Sequence, residues 1–231
     1  EIYTLSLHDA LPICSWNFAG PDCQCNSGIY RQQKKIYVFA SHSHYDHFNK
    51  KIFGWSEQYP DVRYILSADI AGKEQSEEQS ERTVYVTANK KYDFDGIKVQ
   101  TLHSTDEGVA FIVYMEDKVI YHAGDLNWWH WEEETESYNE QMRQDYQREI
   151  DKLKDIVIDI AFVPLDPRQE NQYAWGMDYF MKHTHTKYVF PMHMWGDYEI
   201  YDRLMENPEA EPYKERVIEV KEPGQVFEVN V

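Results

Sequence analysis

Four side chains of the kind that bind metal ions stand within six residues at 42–47: His42, His44, Asp46 and His47, in the run HSHYDH. Imidazole nitrogens and carboxylate oxygens are the natural ligands of zinc, iron and manganese. One tight turn cannot aim all four at a single ion without strain. Dividing them into His42 with His44, and Asp46 with His47, across two neighbouring ions relieves it. A polar turn that collects three histidines and an aspartate by chance is a poor account of so ligand-like a set.

The elements around this turn are legible from hydrophobic period. Residues 35–41 (KIYVFAS) form a short apolar run rich in β-formers, so the turn follows directly on a buried strand. The stretch from there to Tyr59 could be helical. Further strands are expected at 62–68, 83–87, in YDFDG, and at 97–102, 109–115 and 118–124, with an exposed Glu/Gln/Ser-rich connection at 72–82. Asp95-Gly96 and Glu116-Asp117 carry the chemistry of tight hairpin turns. After Trp131 the character changes. Residues 132–155 are highly charged and free of Gly and Pro. Their sparse apolar positions Met142, Tyr146, Ile150 and Leu153 fall at helical spacing, which predicts one long solvated helix. A buried strand (156–164), a short helix in MDYFMKHT, a strand ending in a histidine (187–193) and a helix at 198–205 follow. VIEV and QVFEV are expected to close the chain as strands. Strands first, then strands alternating with helices, suggest two sheets with helices packed outside them.

Composition bounds the function. The chain has 231 residues, long enough to bury a proper core, and no apolar run approaches the length of a membrane-spanning helix. Its net charge is −18. So acidic a surface repels phosphate backbones, and no Lys/Arg cluster offsets it, so neither nucleic acid nor membrane is the expected partner. A small-molecule substrate and a cytoplasmic location are expected instead. The three cysteines, Cys14, Cys23 and Cys25, all lie near the start, which excludes a disulfide framework or a thiolate metal ligand from the main body.

HSHYDH matches the HxHxDH signature of the metallo-β-lactamase fold superfamily, and the resemblance extends in order through His103, Asp125 in HAGD and His193 in PMH. It covers 35–231. In its local style, STDEGVAF, IYHAGDLNWWHW and FPMHMWGDY, the chain resembles a bacterial branch of metallo-hydrolases. The resemblance implies an α/β fold, the αββα four-layer sandwich, with a two-metal site at one edge of the sheets. It further implies that His42, His44 and His103 bind one metal and Asp46, His47 and His193 the other, with Asp125 bridging. Asp46 and Asp125 are then the catalytic carboxylates. Because His103 stands in HSTDEG, where the family has a small residue and Gly closely after the histidine, Asp106 is the alternative ligand. His122 points away or supports a ligand from behind, and His130, His183 and His185 are surface or packing residues. The implied cofactors are two divalent ions, zinc first, with manganese or iron as alternatives. The implied activity is hydrolysis of a small ester, amide or phosphodiester by a metal-activated water. The alternatives are a mononuclear iron oxidoreductase resembling the sulfur dioxygenases and a non-catalytic metal-binding or sensing protein. Trp128, Trp129 and Arg168 are candidate substrate contacts, with Trp131 and Asp166 beside them; a guanidinium suits a phosphate or carboxylate.

The start of the chain is of another kind. Residues 1–13 (EIYTLSLHDALPI) resemble translated sequencing adapter and are expected to be non-native, so that His8 and Asp9 carry no function. Residues 14–34 read as an irregular lead-in, and 35–231 as the hydrolase domain. The native strands that complete the first sheet would then be missing, leaving an edge with exposed backbone donors and acceptors. Deletion of residues 1–13 is expected to leave activity unchanged, and a version with native N-terminal strands should be the more soluble. Loss of the folded state on deletion, read by circular dichroism, would refute this.

Overall fold

The computed structural model describes residues 2–4, 17–19, 36–57, 59–73, 77–94, 96–222 and 225–229. The chain divides into two compact units, residues 1–86 with 223–230, and residues 87–222 with 231.

In the first unit, Ile2–Thr4 (β1) pairs antiparallel with Asn17–Ala19 (β2) in a two-stranded ribbon. The short strand at 17–19 falls in a stretch whose sequence reads as loop. The remaining expectations for the N-terminal segment, including its cysteines, His8 and Asp9, lie outside the described residues. Tyr37–Ala40 (β3), Arg63–Ser67 (β4) and Thr83–Val86 (β5) form a parallel sheet in the order β3-β4-β5. Its core joins Val38 and Ala40 of β3 with Tyr64 and Leu66 of β4. Ile52 and Phe53 complete it from the 3-10 helix Lys50–Glu57, which occupies the stretch expected to be helical. The Tyr64 hydroxyl donates to the Ile52 carbonyl at 3.0 Å, so the ring is buried without stranding its polar end. The exposed connection before β5 contains one short helix, Glu77–Glu81 (α1), with no buried residue.

The second unit is built on a six-stranded sheet. Lys91–Phe94 (β6), Ile97–His103 (β7), Val109–Met115 (β8) and Lys118–His122 (β9) run as an antiparallel meander. Glu116 and Asp117 both take positive φ, 49° and 62°, between the paired Met115 and Lys118. That is the two-residue turn whose twist matches a hairpin. Asp95 of the other expected turn lies outside the described residues. From β9 the chain passes through Glu136–Ile150 (α2) to Val157–Pro164 (β10), then through Trp175–His183 (α3) to His185–Met192 (β11). β9, β10 and β11 are parallel neighbours, as helical crossovers require. Thr135 caps α2 by accepting the Tyr138 N–H, so the helix starts later than the charged run does. Tyr146 and Ile150 lie on its buried face, and the Tyr146 hydroxyl donates to the Gly176 carbonyl at 2.7 Å. Ile200–Glu206 (α4) follows β11.

The mixed α/β class expected of the sequence is the one observed, two main sheets with helices, beside the β1-β2 ribbon. One expectation fails: VIEV and QVFEV are not strands. Val217 makes a single parallel bridge to Val189, and Ile218 N–H donates to the Val189 carbonyl at 2.8 Å. The 3-10 turn Lys214–Arg216 brings the chain against β11 at that one point, and alternation alone makes no ladder without a run of partners. Among the described residues no helix is long and apolar enough to cross a membrane.

Gly176, in the first turn of α3, has the Asn127 side chain where a β-carbon would stand. Gly176→Ala should therefore displace Asn127 and destabilise the fold by about 1–3 kcal/mol, read from the denaturation midpoint. An unchanged midpoint would show that the contact relaxes freely.

Candidate metal centre

Strand ends position the ligand-type side chains. In the first unit the HSHYDH turn leaves the C-terminal end of β3, with His47 and Phe48 N–H groups donating to the His44 carbonyl. Ser43 N–H donates to Asp69 Oδ2 at 2.7 Å, which ties the turn to the end of β4. Inside it the imidazoles crowd together. His42 Nε2 lies 3.0 Å from His44 Nδ1, and the His42 and His47 ring centroids are 4.1 Å apart. Asp46 Oδ2 is 3.4 Å from His47 Nε2. His42 and His47 are buried and His44 is exposed. Ser41, which sequence reasoning did not single out, supports the cluster from behind. Its hydroxyl meets His42 Nδ1 at 3.0 Å and His47 Nδ1 at 3.4 Å. The hydroxyl thus meets the Nδ1 side of both rings while their Nε2 atoms face His44 and Asp46, which is how a supporting group orients a metal-binding histidine.

In the second unit three parallel strands end side by side, and each is followed within three residues by a polar side chain: Asp125 after β9, Asp166 after β10, His193 after β11. Open sheets present functional groups at this carboxyl edge. His193 bridges the other two. Its Nε2 stands 3.2 Å from Asp125 Oδ1 and its Nδ1 2.9 Å from Asp166 Oδ2. Burial of the ring works against its charge, but the two carboxylates outweigh this and raise its pKa to about 9. Burial likewise pushes the Asp166 carboxyl up, yet hydrogen bonds from His193 and Arg168 prevail and lower it to about 2. A metal ion and a proton compete for the same imidazole nitrogen, so metal binding here releases protons.

Arg168 holds Asp166 through its backbone N–H, its Nε and its Nη2, the last at 2.5 Å, and its guanidinium lies 4.4 Å from the Trp195 ring centroid. Trp129, whose indole N–H donates to the Asp125 carbonyl at 3.0 Å, is buried against His193, with ring centroids 5.6 Å apart. Trp128 instead packs beside Trp175. Asp106 and Asp125 present ligand oxygens within 4.8 Å of each other. His103 ends β7 with its side chain exposed and near enough to Asp145 of α2 to influence its charge. Its backbone N–H is held by the buried Glu149 carboxylate at 3.1 Å. His122 Nδ1 accepts the Gly124 N–H at 3.0 Å and so shapes the turn leading to Asp125. His130 packs on Trp175 and His183 stacks on Tyr179.

Each donor set, imidazole with carboxylate in partly dry surroundings, the first backed by Ser41 and the second by Asp166, suits a divalent ion. The role of Asp166 was not legible, because it rests on the register of β10 against β11.

No protein-family model matches the chain, and no curated protein does. Solved structures do. Igni18, a metallo hydrolase of the archaeon Ignicoccus hospitalis, is 12% identical, with a TM-score of 0.62 over 100% of this chain and 99% of the other. The metallo-β-lactamase fold protein YhfI of Bacillus subtilis is 11% identical, with a TM-score of 0.58 over 99% and 98%. A mutant of the β-hydroxylase CmlA, a diiron enzyme of Streptomyces venezuelae, is 10% identical, with a TM-score of 0.50, and the chain spans 46% of its length. The chain therefore has the metallo-β-lactamase fold, as its HxHxDH run implied.

Asp166→Ala should weaken metal binding by about 10–100-fold, because His193 loses the carboxylate that orients its ring. Chelator competition on the purified protein measures this, and an unchanged affinity would remove Asp166 from the support of the site.

Proposed function

We propose that this chain is a metal-dependent hydrolase acting on a small ester, amide or phosphodiester. One observation carries the reading: two preformed sets of nitrogen and oxygen ligands, each at the carboxyl ends of parallel strands and each backed by a hydrogen-bonding side chain. In this reading His42 and His44 hold one divalent ion together with Asp106 or His103, while Asp46, His47 and His193 hold a second and Asp125 serves both. Asp106 is the better partner of the two, because its carboxylate stands beside that of Asp125. Zinc suits these ligands, with manganese or iron as alternatives. When bound, such ions supply an acidified water and a Lewis acid for the substrate oxygen.

The protein's own residues orient and enclose. Ser41 orients the His42 and His47 rings, and Asp166 orients the His193 ring. Trp129 shields the Asp125 backbone from water. Arg168, half-exposed and clamped by Asp166, is suited to an anionic substrate group. The likeness to CmlA motivates a second reading, an iron-dependent oxidoreductase.

Elemental analysis of protein purified without added metal separates them. Two zinc or manganese ions per chain support hydrolysis, and iron together with consumption of dioxygen supports oxidation. Metal with no turnover across a panel of esters, amides and phosphodiesters would favour a binding or sensing role. Asp125→Asn and His44→Ala should each lower both metal content and hydrolysis, the rate by more than about a hundredfold, with an unchanged circular dichroism spectrum. Full activity in a folded Asp125→Asn protein would remove that carboxylate from the mechanism.

A further inference from the structure

Asp106 and Asp125 stand on loops whose strands are not neighbours. Asp106 follows β7 and Asp125 follows β9, and β8 lies between those two strands in the sheet. Both loops leave at the same edge, because β7 and β9 each run antiparallel to β8. Strands two places apart in a sheet are separated by about 9.5 Å. Yet the ligand oxygens of Asp106 and Asp125 lie within 4.8 Å of each other. The loops must therefore lean together over the start of β8, against the mutual repulsion of two carboxylates.

The hydroxyl of Thr105 spans that gap. It donates to the Asn127 carbonyl at 2.7 Å and accepts the Asn127 N–H at 3.0 Å, with the Asp125 carbonyl 3.3 Å away. One side chain from the Asp106 loop thus holds both backbone groups of the residue two places past Asp125. A hydroxyl suits this task, because it donates and accepts at once.

Both ends of the tie are anchored. On the near side the Asp106 N–H donates to the buried Ser104 hydroxyl at 3.2 Å, a local bond that sets the turn. Just before it, the buried Glu149 carboxylate accepts the His103 N–H. On the far side Asn127 is buried. Its amide donates to Gln169 Oε1 at 3.0 Å, and its own oxygen fills the place of the β-carbon that Gly176 lacks.

We propose that Thr105 is a positioning residue: its hydroxyl ties the two loops together and so holds the Asp106 and Asp125 carboxylates at ligand spacing before any ion arrives. The inference rests on the reading of both carboxylates as metal ligands. A preformed pair spares the ion the cost of gathering its ligands, and loss of such outer support lowers metal affinity.

Zinc affinity is measured by chelator competition on the metal-free full chain. Thr105→Val keeps the shape and loses the hydroxyl; Thr105→Ala, which also leaves room for water, is read beside it. Each should weaken zinc binding by about 10–100-fold. Thr105→Ser restores the hydroxyl and should stay within about threefold of the parent. Thr184→Val makes the same change at the opposite end of β11 from His193, where the hydroxyl donates to the Phe180 carbonyl at 2.8 Å, and should leave zinc affinity unchanged. Amide hydrogen exchange followed by NMR without metal is the second readout. In Thr105→Val, exchange should quicken both at 104–107 and at 125–127. The proposal is overturned if folded Thr105→Val and Thr105→Ala bind zinc like the parent, or if Thr184→Val weakens it as much. It is equally overturned if Thr105→Ser binds no better than Thr105→Val, or if exchange quickens at 104–107 alone. A parent that binds no zinc refutes the ligand reading instead, and the exchange pattern then decides the tie by itself.

Discussion

The carboxylate of Asp166 sets the terms for one side of the candidate centre. It is fully buried, and an ionised carboxylate taken out of water persists only if donors match its oxygens. Here they are the Arg168 backbone and guanidinium, His193 Nδ1 and the Trp195 indole N–H at 3.2 Å. Each bond also fixes its donor. The His193 ring is turned so that Nε2 faces Asp125, the Arg168 guanidinium lies 4.4 Å from the Trp195 ring centroid, and the Leu165 N–H just past β10 donates to the carbonyl of Met192 at the end of β11. To remove one donor is to leave a buried charge short of partners, a loss of several kcal/mol. The end of β10, the helix after it and the exit of β11 are therefore held as a set.

That exit is strained. His193 and Trp195 have φ of 66° and 54°, followed by Gly196 at 79°. Left-handed backbone at two residues with side chains costs on the order of 1–3 kcal/mol each, and persists where surrounding contacts over-determine it. The bonds converging on Asp166 supply that restraint. Gly124, with φ of 53°, allows the comparable turn before Asp125 without a β-carbon to clash. Ligand-type side chains thus sit where the strands have ended and the chain must reverse sharply. Tight reversal lets Asp125 and His193 point along the sheet edge, whereas residues inside a strand point to its faces.

The first unit reaches a like result by crowding. Three imidazoles packed within 4.1–4.5 Å, two of them buried, leave few orientations to each ring. Ser41, the residue just past β3, takes the inner nitrogens of His42 and His47. A hydroxyl suits this place because it can donate or accept as each tautomer demands.

Local order was legible in the sequence: the ligand-type turn after a strand, Asp125 and His193 after two further strands, the meander and the amphipathic α2 all follow from spacing and period that neighbours in the chain dictate. The start of α2 shifted only because Thr135 is the better cap. What tertiary structure decided is everything that depends on which strand lies beside which. Asp166 meets His193 because β10 and β11 are in register, Glu149 anchors His103 from 46 residues away, and Thr105 reaches Asn127 across the start of β8. The closing strands expected at VIEV and QVFEV failed for the same reason. Alternation of side chains is a property of the segment, but a ladder needs a free edge running alongside it, and only the folded chain determines where such an edge lies.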